Sequence, residues 1–313
     1  MARVLVDAQL EPFLRETDVP AELEVELLAS DAPTPAGDYA GMIPLLTRTV
    51  GPAELDGLPE LRVVANYAVG YDNIDVAAAQ ARDVAVSNTP GVLTVATAEL
   101  TWTLILAASR RVREGVELAR SGTWTGWGPT QLLGMELRGK VLGLIGAGRI
   151  GREVGLRAPA FGMRVLCWDR TPDPDWLART GAAAVELGAL LERSDVISVH
   201  VPLTPETEHL LDAAALARVK RGAVLVNTAR GPIVDESALI DALEGGRLRA
   251  AGLDVYEREP EIPERLRRLD NVVVLPHLGS ATDEARRGMW RLAWENLLRG
   301  LRGEPLLTPV AGG

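Results

Sequence analysis

Cysteine is almost missing from this chain: Cys167 is the only one in 313 residues. A lone thiol excludes an internal disulfide and a cysteine cage for a metal, and no metal site is expected. Its setting in the apolar run RVLCW gives it a packing role. No apolar stretch approaches the roughly 20 residues that a membrane-spanning helix needs. The opening residues, MARVLVDAQL, read as a short strand and not as a signal peptide. Positive charge is not in excess either. There are 33 Lys and Arg against 43 Asp and Glu, a net −10 at pH 7, which disfavours nucleic acid and anionic membranes as partners. Low-complexity runs are missing as well. What remains is a globular, cytoplasmic protein long enough for two domains. An anionic substrate would depend on individual arginines, because the overall field repels it.

Against these absences stands one segment with a specific physical pattern, residues 141–169, VLGLIGAGRIGREVGLRAPAFGMRVLCWD. It reads as an apolar strand, a glycine turn, a helix, a second strand and an acid at that strand's end. Gly146 permits a tight turn, Gly148 keeps no side chain between the backbone and a pyrophosphate, and Gly151 lets the helix pack on the strand. The helix N-terminus turns free N–H groups and a positive dipole end toward phosphate. Asp169 follows Gly151 by 18 residues, near the spacing of a ribose-binding acid. The alternative is a glycine-rich turn in an α/β protein that binds nothing.

Apolar runs at residues 3–7, 41–46, 61–66 and 84–87 read as buried strands separated by helical stretches. A long helix is predicted over about 94–113, with Ala96, Leu100, Leu104 and Ala107/Ala108 on one apolar face. A Gly/Trp/Pro loop follows at 122–129. Beyond the glycine unit, strands are expected at 196–199, 223–226, 250–254 and 272–275, and a last helix at about 283–302. The alternation implies two α/β lobes, each a doubly wound parallel sheet, with a cleft between them.

Three segments place reactive side chains directly after predicted strands, where ligands of open parallel sheets bind: NTARG with Arg230, DVYEREP with Glu259, and PHLGS with His277. A cation, an acid and an imidazole are the set that a carbonyl reduction needs. The arginine holds an anionic substrate with paired N–H donors. The histidine protonates the carbonyl oxygen. The acid fixes the imidazole tautomer and favours its charged form. Taken singly, Arg230 reads equally as a surface or capping arginine and Glu259 as a solvated acid. Of the other histidines, His200 in VISVHVP reads as a satisfied core residue and His209 as a surface one.

These motifs, in this order, resemble the D-isomer-specific 2-hydroxyacid dehydrogenases along almost the whole chain, most closely the glyoxylate/hydroxypyruvate reductase branch. The matching stretches include NYAVGYDNID, GKVLGLIGAGRIG, SDVISVHVPLTPET, VNTARGPIVDESALIDAL, AGLDVYEREP and PHLGSAT. The resemblance implies two Rossmann-like domains, one flavodoxin-like and one NAD-binding. It divides the chain into a discontinuous substrate domain, residues 1–97 plus 285–313, and a cofactor domain, 98–284. It implies Arg230, Glu259 and His277 as the catalytic residues, with spacings of 29 and 18. Substrate contacts would fall on Leu46, the backbone N–H groups of Val69 and Gly70, Arg230, Ser280 and Trp127. Cofactor contacts would fall on Thr97, Gly146, Gly148, Arg149, Ile150, Gly151, Asp169, Arg170, Val201, Pro202, Thr228, Ala229, Asp254 and Gly279, with Asp254 at the nicotinamide carboxamide. A homodimer through the long helix and its following loop is also implied, with Trp127, or next Trp124, reaching the neighbouring subunit's site or simply anchoring the interface.

Two refinements rest on single residues. Phosphoglycerate dehydrogenases carry a phosphate-holding arginine where this chain has Leu45 and Leu46, which suits a small, non-phosphorylated acid; Arg48 is the alternative phosphate holder. Asp169 accepts hydrogen bonds from ribose hydroxyls and repels a 2′-phosphate, favouring NAD(H), while Arg170 leaves NADP(H) open. The expected activity is reduction of glyoxylate and hydroxypyruvate to D-2-hydroxy acids. The alternatives are a dehydrogenase of larger 2-oxo acids and a non-catalytic NAD-sensing protein.

Overall fold

Strands of Val, Leu, Ile and Ala without polar alternation can be buried on both faces, which is how parallel sheets are built. A computed structural model describes residues 1–310 and shows two such sheets. By the density of their internal packing the residues form two units, Met1–Leu93 with the chain from Ala281 onward, and Thr94–Ser280. Among the described residues no helix is long and apolar enough to cross a membrane.

The first unit carries β1 (Ala2–Asp7), β2 (Leu23–Leu28), β3 (Gly41–Ile43), β4 (Val63–Ala65) and β5 (Ala85–Ser87), in the order β2-β1-β3-β4-β5. All pair in parallel. β2 replaces part of the helical stretch expected there. Its sequence LEVELL leaves Glu24 and Leu27 exposed, whereas Glu26 is half-buried and its carboxylate accepts from Arg3 and from the Tyr39 hydroxyl, both at 2.7 Å. The core is Leu5, Met42, Val64, Val86 and their neighbours. The last helix, Asp283–Arg302, returns to this unit, and Thr282 caps it by accepting from the Ala285 N–H at 3.2 Å.

The second unit carries β6 (Val141–Ile145), β7 (Arg164–Trp168), β8 (Ala183–Ala184), β9 (Val196–Val199), β10 (Ala223–Asn227), β11 (Leu248–Leu253) and β12 (Val272–Val274). Their order is β12-β11-β10-β9-β6-β7-β8, again all parallel. The order reverses between β6 and β9, and such a switch point is where ligands of open α/β sheets bind. Some helices here start on aspartates. Asp212 and Asp235 accept from the Ala215 and Ala238 N–H groups at 2.8 and 2.9 Å, caps worth about 1 kcal/mol each.

The helix expected over 94–113 ends at Ser109. Arg111 adopts φ +54°, and a second helix runs from Val112 to Ser121. The inward face also differs. Thr97, Ala98, Thr101, Trp102, Leu104, Ile105, Ala108 and Ser109 are buried, whereas Ala96, Leu100 and Ala107 are only partly so. Threonine enters this core because its hydroxyl is satisfied locally: Thr101 Oγ1 donates to the Thr97 carbonyl at 2.8 Å and lies 2.9 Å from Thr228 Oγ1.

Candidate active site

The glycine turn after β6 behaves as a phosphate cradle should. Gly146 has φ +95°, and a Cβ there would meet the His200 carbonyl at 2.9 Å. At Gly151 a Cβ would sit 2.2 Å from the Gly146 oxygen. Gly148, by contrast, is exposed and a Cβ would meet nothing within 4 Å. It heads the helix Arg149–Arg157, whose first turn no side chain caps. The open space thus lies in front of backbone donors, where an anion would bind. Arg149 is exposed and Ile150 half-buried beside it.

Asp169 directly follows β7, next to this turn. Its Oδ2 accepts from the Ala147 N–H at 2.7 Å and its Oδ1 from the Thr171 N–H at 2.8 Å. Each oxygen keeps a further lone pair for a ligand hydroxyl. The acid therefore also ties the glycine turn to the end of β7. Arg170 is exposed. His200, after β9, is packed against the turn; burial pushes its imidazole down to about 3, and Nε2 lies 2.8 Å from Ser198 Oγ. It is a neutral, half-buried residue whose ring has a polar partner. His209 is exposed and its Nε2 lies 3.0 Å from Glu257 Oε1. Val201 is half-buried and Pro202 exposed.

The three strand-end segments of the second unit converge. His277 Nδ1 stands 2.7 Å from Glu259 Oε2. The second carboxylate oxygen accepts from the Tyr256 N–H at 3.1 Å. Burial alone would raise the Glu259 carboxyl. The hydrogen bond and charge of His277, the Tyr256 N–H and nearby Arg230 outweigh it and hold the group below the usual carboxylate range. Arg230 is half-buried, and its Nη1 donates to the Ala229 carbonyl at 2.9 Å.

His277 has φ +53°, a conformation costly for a non-glycine residue. Asp254 holds it there. Its carbonyl accepts from the His277 N–H at 2.9 Å, and its carboxylate accepts from the Leu278 and Gly279 N–H groups at 2.6 and 2.8 Å. Burial raises the Asp254 carboxyl against the pull of those donors and of His277. The Gly279 carbonyl in turn accepts from Thr97 Oγ1 at 2.9 Å, which links the loop to the helix Thr94–Ser109. Ser280 is half-buried at its end. Asn227 does similar work for the arginine: its Nδ2 donates to the Arg230 carbonyl at 2.8 Å and its Oδ1 accepts from the Ala229 N–H at 3.0 Å. Sequence reasoning overlooked Asn227 and the backbone of Tyr256; only the asparagine, within NTARG, carried a visible signal.

In the first unit, Val69 and Gly70 lie half-buried on the loop after β4, and Leu45 and Leu46 are half-buried after β3. Arg48 is not available to a phosphate. Only 8% exposed, it donates to the Ala29 and Ala32 carbonyls at 2.7 and 2.9 Å and stands 3.8 Å from Asp7. In the second unit, Trp124 and Trp127 are 57% and 83% exposed.

This fold is that of a known class. The profile of the D-isomer specific 2-hydroxyacid dehydrogenase NAD binding domain matches residues 102–279. The chain is 45% identical over 292 residues to a glyoxylate reductase of Thermococcus litoralis, covering 90% of this chain and 88% of that one. It is 48% identical over 265 residues to a glyoxylate reductase of Aeropyrum pernix, covering 83% and 79%. Among solved structures, a protein of Thermus thermophilus superposes with a TM-score of 0.89 at 43% identity, over 99% of this chain and 100% of that one. An NADPH-dependent glyoxylate/hydroxypyruvate reductase of Sinorhizobium meliloti, in complex with NADP and malonate, superposes with a TM-score of 0.90 at 35% identity, over 99% and 97%. The chain belongs to the D-isomer-specific 2-hydroxyacid dehydrogenase family and carries that family's NAD-binding domain.

Proposed function

We propose that this protein is a cytoplasmic NAD(P)H-dependent reductase of small 2-oxo acids, acting on glyoxylate and hydroxypyruvate. The observation that carries the reading is the 2.7 Å His277–Glu259 pair, held in the unit that bears the glycine turn. Relatives named glyoxylate reductase, matched over most of the chain, support the choice of acid.

In this reading a nicotinamide cofactor held by the glycine-turn unit would supply the hydride for the reduction. His277, with Glu259 on Nδ1, presents Nε2 to the carbonyl oxygen and delivers a proton as charge develops there. Glu259 keeps the ring in one orientation and stabilises its charged form. The Arg230 fork pairs with the oxygens of the acid. Val69 and Gly70 offer backbone N–H groups to the carboxylate, with Leu46, Ser280 and Trp127 as further substrate contacts. Residues 1–97 with 285–313 would serve the substrate, and 98–284 the cofactor.

Gly148, in front of which the space is open, and the first turn at Arg149, Ile150 and Gly151 would hold the cofactor pyrophosphate. Asp169 and Arg170 take the adenosine ribose, and Asp169 gives NAD(H) the preference. Thr97, Val201, Pro202, Thr228, Ala229, Asp254 and Gly279 complete the cofactor contacts. We also propose a homodimer, supported by the apolar side chains left open on the second helix and the loop after it. Val112, Val116, Trp124, Trp127 and Leu133 are each at least 46% exposed, a concentration typical of an interface.

The test is a steady-state assay with glyoxylate, hydroxypyruvate, pyruvate and phenylpyruvate, each with NADH and NADPH. Glyoxylate and hydroxypyruvate should show the highest kcat/KM. A higher value for phenylpyruvate would move the substrate to larger acids, and no turnover with any would overturn the proposal.

A further inference from the structure

A peptide unit is planar and trans, so the carbonyl of one residue and the N–H of the next point in opposite directions. Fixing the carbonyl therefore aims the N–H. The loop after β4 is fixed in this way at three successive peptides. The Ala68 carbonyl accepts from the Thr89 N–H at 2.8 Å. The Val69 carbonyl accepts from Asn88 Nδ2 at 2.7 Å. The Gly70 carbonyl accepts from Asn66 Nδ2 at 2.8 Å. The N–H groups of Val69, Gly70 and Tyr71 are thereby turned to the other side, and among the described residues none of the three donates within the protein.

Asn88 is itself held by the end of the chain. Its N–H donates to the Thr308 carbonyl at 3.3 Å, and its carbonyl accepts from Thr308 Oγ1 at 2.7 Å. Thr308 is gripped by Asn296, which is fully buried on the last helix. Asn296 Nδ2 donates to Thr308 Oγ1 at 2.9 Å, and Oδ1 accepts from the Leu307 and Thr308 N–H groups at 2.8 and 3.3 Å. The tail then runs along β5, where the Val310 N–H donates to the Val86 carbonyl at 2.8 Å.

We propose that Asn88 is a positioning residue for substrate binding, aiming the Gly70 N–H at the substrate carboxylate, and that the C-terminal tail holds Asn88 in place through Thr308. This rests on the reading above that Val69 and Gly70 bind the carboxylate. A half-buried amide brace of this kind makes the anion site rigid before substrate arrives, so the donors need no reorganisation. It also explains why residues more than 200 positions beyond the loop belong to the substrate's machinery.

Asn88→Asp keeps the shape of the side chain and replaces the donating nitrogen by an acceptor facing the Val69 carbonyl. KM for glyoxylate and the inhibition constant of oxamate, an unreactive analogue with the same carboxylate, should both rise about tenfold. The kcat should change much less, and NADH affinity should stay as in the wild type. Thr308→Val, which removes one hydroxyl and preserves volume, should move the same two constants in the same direction by a smaller factor. It carries the test alone if Asn88→Asp does not fold. A crystal structure of the folded variant should show the 69–70 peptide rotated. Constants within twofold of wild type, or a parallel loss of NADH affinity, would overturn the proposal. Should the wild-type protein reduce no 2-oxo acid, the functional reading falls, while the orientation of the 69–70 peptide in the variant still decides the positioning claim.

Discussion

His277 is the residue on which the chemistry turns, because its backbone is held at φ +53° and its ring by Glu259 at 2.7 Å. His277→Ala should lower kcat by about 10²–10⁴-fold, the usual worth of a positioned general acid, while fluorescence titration shows NADH still binding. Near-normal turnover would remove it from the mechanism. Glu259 predicts a pH effect of definite sign. Reduction consumes the proton that His277 delivers, and the Glu259 carboxylate must be charged to support that ring. Glu259, held below the usual carboxylate range chiefly by His277 against the opposing effect of burial, is charged near neutrality and favours the protonated ring. In Glu259→Gln that support is gone. Wild-type kcat/KM should fall on the acid side only below the usual carboxylate range, where Glu259 takes up a proton; in Glu259→Gln that acid limb should be gone and kcat/KM lower throughout, and an acid limb that persists unchanged would show that Glu259 is not its source. Asp169 is the third residue with a readable consequence. Its carboxylate should favour NADH over NADPH by about ten- to a hundredfold in kcat/KM. Asp169→Ser should shift that ratio toward NADPH. It should also cost some affinity for both cofactors, since the Ala147 N–H loses its acceptor. A wild-type preference for NADPH would hand control of this pocket to Arg170.

At the scale of elements, the glycine turn separates two roles that one motif combines. A Cβ at Gly151 would collide with the Gly146 oxygen at 2.2 Å, whereas one at Gly148 meets nothing. Gly148 also has φ −71° and ψ −165°, which alanine adopts freely. Gly151→Ala should therefore lower both Tm and NADH affinity. Gly148→Ala should leave Tm nearly unchanged and still weaken NADH, because the added methyl occupies ligand space. Equal effects on Tm would place no ligand there. These glycines were legible because their reasons are local. So were the buried strands, whose unbroken apolar runs admit few other readings. The edge strand β2 was not: in LEVELL the glutamates suggest a charged helix face as readily as the outer face of an edge. The break at Arg111 carries no glycine or proline to announce it, and the inward Thr97 and Thr101 look polar until their hydroxyl partners are known. The Asn88–Thr308 link was invisible for another reason. It joins residues 220 positions apart, and no local pattern records such a contact.

For the whole molecule the open question is what covers the apolar surface between residues 95 and 133. Val95, Val112, Val116 and Leu133 are about half exposed or more, and Trp127 is 83% exposed. A tryptophan so placed on a net-negative chain costs solubility unless it is covered, and a second copy supplies a self-complementary surface without any further partner. The expected state is a homodimer of about twice 33.5 kDa, seen by light scattering at micromolar concentration and stable to moderate salt, since the contact is apolar. Two substitutions separate a structural from a catalytic role for the loop. Val116→Glu, on the second helix, places a charge in the apolar contact and should drive the protein toward monomer. Trp127→Ala should leave the dimer in place if the side chain serves the active site, with KM for glyoxylate raised and NADH affinity kept. If Trp127→Ala instead yields monomers with unchanged KM, the residue is an anchor only. A wild-type monomer at micromolar concentration would remove both roles, leaving the exposed tryptophan without a partner of its own kind.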